Sequence, residues 1–153
     1  MDPHFTLEPD AVRVTRVADK SAALRFLSEI CAETYGLDAK EVEACLLERE
    51  ELGSTGFGNG VALPHARMEG ISRPIAALVR FEHPIDYDAA DGMPVNLACA
   101  LLSPANAGAT HLHALAALSR MMRDEHFREQ LAEAPDAEAM YGLVANGQDR
   151  NAA

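Results

Sequence analysis

Basic charge is what this chain of 153 residues has least of: 13 Lys and Arg stand against 24 Asp and Glu, for a formal net charge of −11. Binding a polyanion rests on a basic footprint that neutralises phosphates, so nucleic acid is excluded as a partner, whereas a basic protein surface would be attracted. Long apolar runs are missing too. No stretch approaches the roughly 20 residues that a bilayer crossing needs, so the chain is not read as membrane-embedded. The N-terminal "MDPHFTLEPD" lacks the basic and apolar regions of a secretory leader. A flexible arm is expected over residues 1–9 and a flexible tail over 147–153, with one domain over 10–146. Cysteine is scarce and odd in number. Cys31, Cys45 and Cys99 lie in apolar periodic stretches, which argues against a disulfide framework and for small core residues in a reducing, cytoplasmic setting. Lysine is absent from Glu41 to the C-terminus.

With 48% hydrophobic and 24% charged residues, the chain has the composition and length of one globular domain with a proper core. No internal repeat or low-complexity tract interrupts it, so the order of elements carries the information. "AVRVTRV" (11–17) alternates with period two and predicts a strand. Leu24, Leu27, Cys31 and Tyr35 recur at helical spacing from Lys20 onward, and Gly36 ends that helix. A second helix is predicted from about Ala39 to Leu52, capped by Asp38 and stopped by Gly53. After a glycine-rich loop come strands at "VALP" (61–64), "PIAALVRF" (74–81) and "VNLACALL" (95–102), the last with the unbroken apolar run of a strand buried on both faces. Helices are predicted over about 110–122, 125–133 and 136–145. This order fits an α/β fold, a sheet with helices on both sides, and some connections are too short for helical crossovers, so the sheet is expected to be mixed.

The densest signal is "GSTGFGNGVALPHAR" (53–67). A P-loop would end in Gly-Lys-Ser/Thr, and the missing lysine excludes it. A Rossmann fingerprint follows a strand and opens a helix, the reverse of the order here. The stretch is then either a tight helix-to-strand connection or a nest whose backbone N–H groups converge on a small anion. His65 follows Pro64 and falls at the end of the predicted strand, where α/β sites gather. Its imidazole is mostly neutral at pH 7 and so nucleophilic, although a lone histidine is often only a structural residue. Arg49 shares a helical phase with Val42, Cys45 and Leu46; it either meets an anion there or snorkels and pairs with an acidic neighbour. His111 shares a face with Leu115, Leu118 and Met122 in the first turn of its helix, as a site residue or as a core histidine bonded to a carbonyl, and His113 points elsewhere. Residues at i and i+2 of a helix do not face each other, so no metal site is expected. An imidazole beside a glycine nest, an arginine and a second imidazole suits phosphoryl transfer through a phosphohistidine, without a nucleotide or other cofactor.

"LEREELGSTGFGNGVALPHAR" resembles the signature of the IIA proteins of the bacterial phosphotransferase system, fructose and mannitol class, and within it the nitrogen-related regulatory IIA branch. "PIDYDAADGMPVNLACALLSP" resembles the family's middle strands and "HLHALAALSR" its second block. The resemblance implies a three-layer α/β/α sandwich around a mixed sheet. It implies phosphorylation on a ring nitrogen of His65, with His111 as second active-site histidine, Arg49 close to it, and the loop with Ser54, Thr55, Gly58, Asn59 and Gly60 beside the phosphorylated ring. Ala66 departs from the glycine of many relatives, which stiffens the backbone there. The implied donor is a small histidine phosphocarrier of the HPr kind. Downstream, the resemblance implies regulated proteins, such as a potassium transporter or a sensor kinase. Two alternatives stand beside that regulator: a sugar-specific IIA component handing phosphate to a separate IIB protein for fructose or mannitol uptake, and a module that senses an anion without a covalent step.

Overall fold

The computed structural model describes residues 4–152, with side chains for residues 4–148. Residues 1–3 of the expected arm and residue 153 of the expected tail lie outside the described residues. Strand β1 (Thr6–Thr15) begins well before the alternating stretch that announced it. Phe5 and Leu7 are buried, Thr6 N–H donates to the Pro74 carbonyl at 2.9 Å, and the polar "EPD" that masked the strand coincides with a register shift between Leu7 and Val12. Residues 6–9 are therefore part of the sheet, not of an arm.

Helix α1 (Lys20–Tyr35) starts on Asp19, whose carboxylate accepts from Ala22 N–H, and Gly36 closes it at φ 71°. Helix α2 (Ala39–Glu51) starts on Asp38, which accepts from Lys40 and Glu41 N–H. The glycine-rich stretch then forms a structure that sequence periodicity did not announce. Strands β2 (Gly56–Gly58) and β3 (Val61–Ala62) pair antiparallel. The turn residues Asn59 and Gly60 have φ 59° and 79°, positive at both positions as a tight two-residue hairpin turn requires.

Strand β4 (His65–Met68) continues where β3 stops. Both run parallel to β6 (Val95–Pro104) in one register, with Ala62 opposite Ala98 and His65 opposite Leu101. Pro64 interrupts the pairing because it has no N–H to give the ladder, yet its carbonyl accepts from Leu101 N–H at 2.9 Å. His65 thus opens a strand instead of trailing one. Strand β5 (Ile75–Ile85) pairs parallel with β1 and antiparallel with β6, so the sheet order is β1-β5-β6-β3-β2, with β4 also on β6.

Helices α3 (Ala109–Arg123), α4 (Glu125–Glu133) and α5 (Ala137–Ala152) follow. Helix α5 outruns its expected end and takes in residues 147–152 of the expected tail. Gly147 is buried against Met121 and Phe127, where an added Cβ would stand 3.3 Å from Met121 Cε. The interior of β6 is buried from Val95 to Ser103 apart from Asn96, as a strand covered on both faces must be. The fold is the expected single-domain α/β/α sandwich around a mixed sheet, with α2 packed on β4 and α3 on β6. No helix among the described residues is long and apolar enough to cross a membrane.

Candidate active site

Strand β4 holds His65 by its backbone, while α2 and α3 flank it and bring Arg49 and His111 to the same place. His65 Nδ1 lies 2.7 Å from the Leu63 carbonyl. A carbonyl only accepts, so Nδ1 carries the ring proton and Nε2 carries the lone pair. Arg49 Nε–H donates to that Nε2 at 3.3 Å, and Arg49 Nη1–H donates to the Gly53 carbonyl at 2.9 Å. The second ring, His111, stands with its centroid 5.7 Å from that of His65, tilted by 43°. It is 5% exposed, and its Nδ1 is 2.7 Å from the Oγ of buried Ser103 at the end of β6. The hydroxyl can serve as donor or acceptor.

Burial disfavours the charged form of both rings. Burial pushes His65 below the ordinary histidine value, and the Arg49 guanidinium adds to this, while the Leu63 carbonyl and Glu50 oppose it. His111 is lowered by burial first and then by the neighbouring charges of His65 and Arg67. A neutral imidazole with its proton fixed on Nδ1 has Nε2 available as a nucleophile near pH 7.

These residues line an open hollow of about 440 Å³, shared with Cys45, Glu48, Leu52, Arg67, Leu112 and Leu115. Two large apolar side chains stand exposed along it: Leu52 is 83% exposed and Leu112 58%. Among the described residues no group of three His, Cys, Asp or Glu side chains is placed to hold a metal ion.

The glycine-loop residues lie elsewhere. Asn59 N–H donates to Asp91 at 3.0 Å, and the Gly60 carbonyl accepts from Asn96 and Leu97 N–H. Gly58 and Gly60 face the side chains of Asp91 and Asn96, and neither they nor Asn59 line the hollow. Ser54 Oγ donates to the Tyr87 carbonyl at 3.2 Å and accepts from Gly56 N–H at 3.1 Å. Thr55 turns inward. Its N–H and hydroxyl both donate to Glu50, which also accepts from the buried Tyr87 hydroxyl and pairs with Lys20 at 2.7 Å. Lys20 lies 4.6 Å above the Tyr87 ring. Of the loop amides, those of Thr55, Gly56 and Asn59 are occupied by Glu50, Ser54 and Asp91.

Sequence reasoning missed Ser103, Arg67 and the Leu63 carbonyl. Only Arg67 had a usable signal: two residues beyond His65 in an extended segment, it shares the histidine's face.

On this α/β sandwich an imidazole, an arginine and a second imidazole line one small open hollow, a chemistry suited to a compact anionic group. The family described as phosphoenolpyruvate-dependent sugar phosphotransferase system, EIIA 2, matches residues 6–147, and the chain belongs to it. It is similar to the nitrogen regulatory protein of Bradyrhizobium diazoefficiens, with 38% identity covering 90% of each chain. The nitrogen regulatory protein of Pseudomonas aeruginosa is 42% identical over 78% of each chain. The crystal structure of nitrogen regulatory protein IIA-Ntr from Neisseria meningitidis superposes with a TM-score of 0.82 at 33% identity, covering 90% of this chain and 95% of that one. Within the family, this chain is thus like the nitrogen regulatory IIA proteins.

Proposed function

We propose that the chain is a cytoplasmic phosphocarrier that accepts a phosphoryl group on His65 Nε2 from an HPr-type carrier and signals its phosphorylation state to partner proteins. The observation that carries this reading is the fixed tautomer of His65: Nδ1–H held by Leu63, and Nε2 facing Arg49 with His111 beside it. In the transfer, the Nε2 lone pair forms the new N–P bond as the donor's N–P bond breaks, and that electron pair returns to the donor's ring nitrogen. The proton stays on Nδ1, donated to the Leu63 carbonyl, throughout. Arg49 supplies charge-assisted donors to oxygens that arrive where its Nε–H already points. His111, buried and uncharged, can donate a hydrogen bond to the incoming group without competing for the donor's charge.

A dianion placed in the hollow beside Leu52 and Leu112 changes the charge of a surface built to meet another protein, which is how phosphorylation makes or breaks a contact. The resemblance to nitrogen regulatory proteins favours a signalling role over sugar uptake through a IIB protein. The test is intact mass after incubation with phosphoenolpyruvate, enzyme I and an HPr-type carrier. An acid-labile gain of roughly 80 Da, absent in His65→Ala, supports the reading. No gain with any cognate carrier overturns it in favour of a non-covalent anion-binding module.

A further inference from the structure

Arg67 is the hollow's uncommitted cation. In a chain with nearly twice as many acidic as basic residues, it makes no ion pair or hydrogen bond among the described residues, although the Glu48 carboxylate lines the same hollow. Arg49, by comparison, already spends two N–H groups, on His65 and on the Gly53 carbonyl. The two guanidiniums also serve different rings. Arg49 acts on His65, whereas Arg67 is near enough to His111 to push its pKa down. Strand alternation sets Arg67 about 6.6 Å along β4 from His65 on the same face, and the pairing of Arg67 with Ser103 in the sheet anchors its backbone beside the residue that holds His111.

We propose that Arg67 is a second phosphoryl-binding residue, closing its planar fork on the oxygens of phospho-His65 from the His111 side while Arg49 holds them from α2. The inference rests on the proposed role of His65. A guanidinium presents paired N–H donors at the spacing of two phosphoryl oxygens, and an arginine without a partner among the described residues has none of them to give up when the group arrives. The exposed position of Arg67 makes this contact possible without rearranging the core. Bound there, it favours the dianionic over the monoanionic form of the phosphoryl group.

The readout is the 31P NMR pH titration of the isolated phosphorylated protein, which no partner can influence. The charged and titratable groups lining the hollow around His65 are Cys45, Glu48 and Arg49 from α2, Arg67 from β4 and His111 from α3. Arg67→Gln is expected to raise the phosphoryl midpoint by about one pH unit, and Arg67→Lys, which keeps the charge without the fork, to raise it less. Arg120→Gln, on the exposed face of α3, serves as control and leaves it unchanged. A wild-type midpoint in both Arg67 variants overturns the inference, and should either variant misfold the other decides. Absence of any phosphate on the wild-type protein fails the His65 reading instead.

Discussion

Arg49 and Glu50 are neighbours at the end of α2 and lead to two opposite environments. Glu50 turns into a closed polar cluster in which Lys20, Thr55 and Tyr87 all point at one carboxylate. Arg49 turns into the hollow, where Arg67, His65 and His111 have no carboxylate paired to them among the described residues. A helix rotates about 100° per residue, so one step of sequence is enough to separate them. The difference is between charge matched by an opposite charge within the fold and charge left without a carboxylate partner among the described residues. Buried polar groups are tolerated where they are satisfied, and a binding site keeps donors oriented toward a group that has yet to arrive.

The comparison breaks most visibly at His65. His65→Ala is expected to abolish phosphoryl acceptance, scored as loss of the acid-labile mass gain. Next in size, Arg49→Gln should slow acceptance by about 100-fold with little change in the urea midpoint. Its neighbour should behave in reverse. Glu50→Gln leaves Lys20 and the Thr55 donors short of a charged acceptor and should cost about 1–3 kcal/mol in urea unfolding. Equal losses of transfer in both variants, with stability intact, would erase the division between the two environments.

A smaller effect separates hairpin from nest. Gly60 has φ 79°, and an added Cβ would stand 2.8 Å from Asn96 Oδ1, so Gly60→Ala should cost about 1–2 kcal/mol. Loss of acceptance at unchanged stability would instead return the hairpin amides to the phosphoryl site. The smallest effect is electrostatic. Both hollow histidines have folded-state pKa values below the ordinary 6.5, so between those values the unfolded chain binds more protons. Their contribution to stability is complete above 6.5 and is lost as pH falls through the folded-state values. Proton NMR titration should find both midpoints under 6.5, and a midpoint above it would mean the site is not desolvated.

What the sequence determined by itself is what local chemistry dictates. Asp38 and Gly36 bound their helices because a carboxylate caps free amides and glycine alone enters the left-handed region cheaply. The apolar run of β6 marked a central strand, and helical phase turned Arg49 and His111 inward. Tertiary structure decided whatever depends on partners far along the chain. Thr6 and Leu7 join the sheet because β5 offers them a parallel edge, and His65 opens a strand because β6 carries the ladder past Pro64. The glycines read as a nest because their permissive backbone was legible, while Asp91, which takes Asn59 N–H from 32 residues further along, reaches them only through the fold. A backbone can advertise its freedom locally, but which acceptor uses its N–H groups is settled by packing.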